Sequence, residues 1–186
     1  MRFLVIGAGK QGSACALDLL LQPGTTSVVL ADKDLGHIPA FLDPYRGGGT
    51  LDLLTLDLKD QDAVRAAMGR ADAATSAAPY YFNFDLTKLA VETGIHFSDL
   101  GGNTEIVQSQ KTLHAEAARK GLRIVPDCGL APGMINILAG EGIRRLDVTE
   151  SVKIYVGGLP QHPEPPLNYM VVYSLEGALD YYTTPS

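Results

Sequence analysis

The stretch Phe3-Leu4-Val5-Ile6-Gly7-Ala8-Gly9-Lys10-Gln11-Gly12 runs from four apolar residues straight into G-x-G-x-x-G and on into a helical pattern. An apolar strand opening through this spacing is how a dinucleotide site begins. Gly7 allows the tight strand-to-helix turn, Gly9 lets the backbone approach a pyrophosphate, and Gly12 brings the new helix close to the strand. Ala8, Lys10 and Gln11 complete the loop, and the free N–H groups at the positive end of the helix would face the phosphates. The hexapeptide alone also serves ordinary turns, so a second feature decides its reading. After an apolar helix around Ala14 to Leu21 and a Pro23-Gly24 break, the run Val28 to Ala31 ends in Asp32. That acid stands about 20 residues past the last glycine, where a carboxylate meets an adenosine ribose.

Outward from this unit, short apolar runs alternate with helical patterns. The strand candidates are Phe3 to Ile6, Val28 to Ala31, Leu53 to Asp57, Ala73 to Ala77, Ile95 to Ser98 and Leu122 to Pro126. Each is a compact apolar run bounded by Gly, Pro or Asp. Between them lie Ala63 to Met68 with Asp60 as N-cap, Asn83 to Thr93 ended by Gly94, and Thr104 to Lys120 ended by Gly121. The second crossover, Leu35 to Leu42, holds Pro39 and is followed by Asp43-Pro44 and Gly47-Gly48-Gly49, which predicts a short or broken helix. Strands alternating with helices imply right-handed crossovers and a parallel sheet. Behind this glycine loop they give the doubly wound α/β arrangement, the Rossmann fold, with strand order 3-2-1-4-5-6.

Composition bounds the rest. The chain has 186 residues, 46% of them hydrophobic, enough for one full domain but not for a second complete one. A formal net charge of -6, with no cluster of Lys and Arg, argues against a nucleic-acid surface. The apolar stretches are strand-length, so no membrane span is expected, and the N-terminus enters a strand without a separate leader. Two cysteines, Cys15 and Cys128, make no disulfide framework, and a cytoplasmic setting follows. No pair of the four histidines has metal-ligand spacing on one element, and His96 reads as a satisfied core histidine. Residues 1–150 form the dinucleotide-binding domain. From Ser151 the texture changes: Val152 to Val156 reads as a strand, Gly157 to Pro160 as a turn, and Tyr169 to Tyr173 as aromatic and β-branched. Residues 151–186 therefore read as the start of a second α/β sheet domain that this length does not complete, and its unfinished edge invites a dimer.

In such a fold ligands bind at the carboxyl ends of the strands. There Asp57-Leu58 either flank an adenine or start a helix. Ala77-Ala78-Pro79 let the pyrophosphate and nicotinamide ribose pass near the backbone. Of Tyr80, Tyr81 and Phe82, at least one should face the cleft, since three consecutive rings cannot all point inward from one loop. Asp99 is either a functional carboxylate or a helix cap, followed by Leu100, Gly101, Gly102 and Asn103. Cys128 is either a thiol near the nicotinamide or a small buried residue. Asp32 favours NAD, because its charge repels a 2′-phosphate, although the neighbouring Lys33 blunts that argument and leaves NADP open.

Several motifs together resemble the saccharopine dehydrogenase-like oxidoreductases, most closely the lysine 6-dehydrogenases. They are the Gly7 to Gly12 loop, Asp32, Asp99-Leu100-Gly101-Gly102, Pro126-Asp127-Cys128-Gly129-Leu130-Ala131-Pro132-Gly133-Met134-Ile135-Asn136-Ile137-Leu138, and Tyr155-Val156-Gly157-Gly158-Leu159-Pro160 with Pro163 to Leu167. Ser174 to Gly177 and Tyr182-Thr183 continue the match. The resemblance implies NAD(P)-dependent chemistry at a carbon–nitrogen bond of a small amino-acid substrate, with a second domain supplying substrate contacts and the oligomer interface. For this subgroup the reaction is oxidative deamination of the lysine ε-amine. Asp99 and Tyr81 are then the candidates for the chemical step, with Tyr80, Gly102, Asn103 and Tyr169 on the substrate side. The alternatives within the resemblance are saccharopine-forming or saccharopine-cleaving enzymes and carboxynorspermidine dehydrogenases. A non-catalytic nicotinamide-binding module is the alternative from another class.

Overall fold

The structure is a computed structural model and describes residues 1–170 together with residues 179 and 183. The first unit, Met1–Glu141, opens with β1 (Arg2–Ile6), α1 (Lys10–Leu21) and β2 (Ser27–Asp32). The second crossover holds a 3-10 turn at Ala40–Tyr45 with Pro44 inside it, the short helix that the prolines predict. Then follow β3 (Leu51–Thr55), α2 (Gln61–Met68), β4 (Ala73–Ser76), a 3-10 turn at Tyr80–Phe82, α3 (Asn83–Thr93) and β5 (His96–Asp99). After them come α4 (Thr104–Lys111), α5 (His114–Arg119), β6 (Ile124–Val125) and α6 (Met134–Arg144). The strands form one six-stranded sheet in the order β3-β2-β1-β4-β5-β6, with every pairing parallel.

Alternation along β1 divides the core. Leu4 and Ile6 point to one face, where α2 and α3 cover them with Val64, Met68, Leu86 and Leu89. Val5 points to the other, against Ala16 of α1, Val28 and Leu30 of β2, and Leu42 of the 3-10 turn. Among the described residues, that second face is covered over its β1-β2-β3 half. Beyond α1, Phe3, Ala73, Thr75 and Ser98 stay half-exposed and line, with Cys15 and Leu19, a cavity of about 420 Å3.

Some boundaries differ from the sequence reading. The predicted helix Thr104 to Lys120 breaks at Thr112-Leu113, where N–H groups bond to i−3 carbonyls. β3 begins two residues earlier than the densest apolar run, because Leu51 is paired with Val28 of β2. Leu56, past the strand end, turns into the core at 3% exposure.

The second unit, Gly142–Ser186, includes the last turn of α6 and loops with largely exposed side chains. Val152 to Val156, expected as a strand, is not one here: among the described residues it has no pairing partner, and an isolated strand leaves its backbone groups to water. Of the Tyr169 to Tyr173 segment, residues 171 to 173 lie outside the described residues.

Candidate cofactor cleft

The carboxyl ends of β1, β4, β5 and β6 converge on one edge of the first unit, and the glycine loop lies at its centre. Gly7 takes φ +98°, and a Cβ there would stand 2.9 Å from the carbonyl of Ala77. A Cβ at Gly12 would collide with the Gly7 carbonyl oxygen. Gly9 is different: a Cβ there would meet no protein atom within 4 Å, so the space over it is open. Gly9 is also the N-cap of α1, whose first turn has neither a side-chain cap nor an acid. An open backbone at an uncapped helix N-terminus fits a dinucleotide's pyrophosphate, and Gly7 to Gly12 would hold it.

Asp32 closes the loop from the β2 side. Its Oδ2 accepts the Ala8 N–H at 2.6 Å and its Oδ1 accepts the Asp34 N–H at 3.1 Å. Lys33 reaches toward Asp57, Nζ to Oδ2 at 3.8 Å, across exposed surface. Asp57 also accepts the Lys59 N–H at 3.0 Å in the turn that leads to α2, whose cap is Asp60, while Leu58 packs against the larger core cluster.

On the β4 side, the Ala77 N–H bonds to the Ile6 carbonyl at 2.7 Å, and Pro79 precedes the aromatic 3-10 turn. The three rings divide. Phe82 packs on the core, while Tyr80 and Tyr81 are 40% and 59% exposed, edge to face with centroids 5.8 Å apart.

Asp99 lies deeper than a solvent-facing base would. It is 0% exposed, and both carboxylate oxygens are engaged. Oδ1 accepts the Gly101 N–H at 2.7 Å and the Asp127 N–H at 3.3 Å, and Oδ2 accepts Gln110 Nε2 at 2.6 Å. It is therefore not the helix cap: Asn103 caps α4, with Oδ1 accepting the Ile106 N–H at 3.1 Å. A group that exchanges protons with substrate must come within hydrogen-bond reach of it, and Asp99 faces backbone and Gln110 instead.

Sequence reasoning missed the network behind Asp99. Gln110 also donates to Thr87 Oγ1 at 2.7 Å, Thr87 donates to the Asn83 carbonyl at 2.7 Å, and Ser76 donates to Asn83 Oδ1 at 3.0 Å. All four side chains are buried, which ties β4, α3, β5 and α4 together beneath the cleft. It missed Asp127 as well. This residue takes φ +58°, and burial, then the nearby Asp99 charge, push its carboxyl above the usual range. Among the remaining candidates, Cys128 is exposed but its thiol is raised by burial of the group and by Asp99 and Asp127, the opposite of an activated thiolate. His96 accepts the Arg123 N–H through Nδ1 at 3.0 Å, the satisfied state expected of it. Tyr169 belongs to the second unit, where it is 42% exposed.

Two family models match consecutively: the saccharopine dehydrogenase NADP binding domain over residues 3–125, and the saccharopine dehydrogenase C-terminal domain over residues 129–186. The chain belongs to the saccharopine dehydrogenase family. Its curated relatives include saccharopine dehydrogenase [NADP(+), L-glutamate-forming] of Saccharomyces cerevisiae, 25% identical across 95% of this chain and 39% of that protein. They also include the mitochondrial alpha-aminoadipic semialdehyde synthase of Rattus norvegicus, 28% identical across 96% of this chain and 19% of that one. The chain thus spans well under half the length of the relatives it matches. Among solved structures, the apo saccharopine dehydrogenase (L-Glu forming) from the same yeast superposes with a TM-score of 0.62 at 22% identity, over 77% of this chain and 30% of that one. The WlbA dehydrogenase from Thermus thermophilus, in complex with NAD and alpha-ketoglutarate, gives 0.54 at 15% identity, over 80% and 48%. At these identities the likeness shows the fold. Relatives in the saccharopine dehydrogenase family are NAD(P)-dependent oxidoreductases. No helix among the described residues is long and apolar enough to cross a membrane.

Proposed function

We propose that the complete gene product is an NAD(P)-dependent oxidoreductase acting on the carbon–nitrogen bond of an amino acid. The observation that carries this reading is the open Gly9 backbone at the uncapped N-terminus of α1, in a chain matched along its length by both saccharopine dehydrogenase models. When bound, the nicotinamide supplies the hydride acceptor. The chain's own part is to hold the dinucleotide on Gly7 to Gly12, to meet the adenosine ribose with Asp32, and to wall the reacting end with Tyr80, Tyr81 and the Leu100 to Asn103 loop.

Saccharopine is the substrate to test first, since the yeast relative is named for it. L-Lysine is the second, favoured by the Pro126 to Leu138 motif. The two separate by size: saccharopine is a secondary amine larger than lysine, and a pocket closed for lysine excludes it. NAD is the proposed cofactor despite the NADP of the relatives' names. Three carboxylates, Asp32, Asp34 and Asp57, surround the ribose corner, against Lys33 and an exposed His37 that lies 3.9 Å from Asp34. We place the protein in the cytoplasm, working as a homodimer.

The experiment is nicotinamide reduction followed by absorbance, with each amine and each dinucleotide. Reduction dependent on saccharopine or L-lysine supports the reading. Intact dinucleotide binding with no amine-dependent reduction would favour the non-catalytic module instead.

A further inference from the structure

Asp127 stands one residue, Pro126, beyond β6, at the carboxyl edge of the sheet where the loops after β4, β5 and β6 meet. Its Oδ1 occupies the place that a side chain at Gly101 would need, and Gly101 takes φ +74°, so a substitution at position 101 is strained and displaces the Asp127 carboxylate. Gly102 in turn lies under Tyr80, whose Cβ would stand 3.2 Å from a Cβ there. A Cβ at Gly129 would stand 2.6 Å from the Leu100 carbonyl oxygen, so the loop after β6 is pressed onto the loop after β5. Behind this layer, Asp99 accepts the Asp127 N–H, and Gln110 fixes Asp99. The left-handed backbone at Asp127, costly for a residue with a Cβ, is thus held by the bond that its N–H donates to a buried carboxylate. Unlike Asp99, Asp127 is only half-buried.

We propose that Asp127 is the carboxylate this chain presents to the reacting amine nitrogen, and that the buried Asp99–Gln110 pair is the clasp that positions it. The proposal rests on the C–N oxidoreductase reading above. As the substrate C–H bond breaks, its electron pair leaves as hydride to the nicotinamide and the C–N unit is oxidised to an iminium. Asp127 exchanges no atom; its negative charge stabilises the positive charge that grows on nitrogen. The groups facing Asp127 are Asp99 from β5, Lys111 from α4 and the neighbouring Cys128. Burial and Asp99 hold its carboxyl above the usual range while Lys111 opposes them, so activity should fall on the acid side as this group protonates.

The test compares Asp127→Asn, Asp127→Glu and Asp99→Asn in the complete gene product. Asp127→Asn should lower kcat/KM about 100-fold. Dinucleotide affinity should be preserved, and the acid limb of the pH profile should shrink to the part set by protonation of the substrate amine, with partial rescue by Asp127→Glu. Asp99→Asn removes the like charge and should move that limb to lower pH. Asp127→Asn retaining both the rate and the limb would overturn the proposal. A second readout does not need turnover: the carboxyl 13C resonance of Asp127 in NAD-loaded protein, assigned by its loss in Asp127→Asn. It should move on addition of saccharopine or L-lysine but not of L-norleucine, which lacks the distal nitrogen. An equal response to norleucine and lysine, or no response to either amine, would reject the role of Asp127. Absent turnover in the unaltered protein alongside an amine-specific shift would instead reject the oxidoreductase reading and leave Asp127 as an amine-binding carboxylate.

Discussion

Gly7 and Gly9 stand two residues apart and predict opposite phenotypes. Gly7 combines a left-handed backbone with a Cβ position 2.9 Å from the Ala77 main chain, so Gly7→Ala should lower unfolding free energy by about 2 kcal/mol in a urea titration. Gly9 has φ -67° and open space above it, so Gly9→Ala should leave stability within about 0.5 kcal/mol. Its methyl group would instead occupy the space proposed for pyrophosphate, and calorimetry should register at least a tenfold loss of dinucleotide affinity. Equal affinity in Gly9→Ala would remove the loop from the cofactor site. At this scale the sequence showed the glycines and Asp32 clearly, because their spacing is local. It did not show Gln110, since nothing within its own helix marks a side chain that crosses to β5. Asp127 had a local signal, an acid just past Pro126 at the end of the last strand, but its contact with Gly101 depends on two loops separated by α4 and α5.

Caps and pairings decide the elements. Asn103 was read as a substrate contact, and the structure gives its side-chain oxygen the task of capping α4. Asn103→Ala should therefore cost about 1 kcal/mol, whereas Asn103→Asp, which keeps the acceptor and adds charge at the positive end of the helix, should be neutral or stabilising. Thermal denaturation of the two variants checks this, and a stable Asn103→Ala protein with lost turnover would return the residue to the substrate. Asp60, whose cap on α2 was legible from sequence, accepts the Ala63 N–H at 3.0 Å and should behave like Asn103 on substitution by Ala. Helices bounded by Gly, such as Asn83–Thr93 before Gly94, were read to the residue because Gly94 takes the left-handed C-cap conformation. The break between α4 and α5 carries neither Gly nor Pro. Strand limits were less legible for a related reason: a strand ends where its neighbour stops pairing, so the start of β3 is set by β2.

In the whole molecule, both core clusters and the proposed cofactor residues up to Gly101 fall within Met1–Glu141. Tyr169, the sequence-derived substrate contact from the later segment, falls in the other unit. Cofactor binding and turnover should therefore separate on truncation. A chain ending after Arg144, which keeps α6 whole, should bind NAD with a Kd within about threefold of the complete protein, because none of the groups proposed to touch the dinucleotide is removed. Its amine-dependent reduction should fall below detection, because the family's C-terminal domain match begins at residue 129 and most of it would be gone. The half-covered sheet face beside α1 has a readout of its own within the first unit. Parallel sheets are stable when both faces are buried, and Phe3, Thr75 and Ser98 are not fully covered in the first unit. The truncated chain should therefore bind an apolar dye at that face, and Thr75→Lys should reduce the signal without weakening NAD. Loss of NAD affinity on truncation, in a chain that still unfolds cooperatively, would mean that residues beyond α6 belong to the cofactor site.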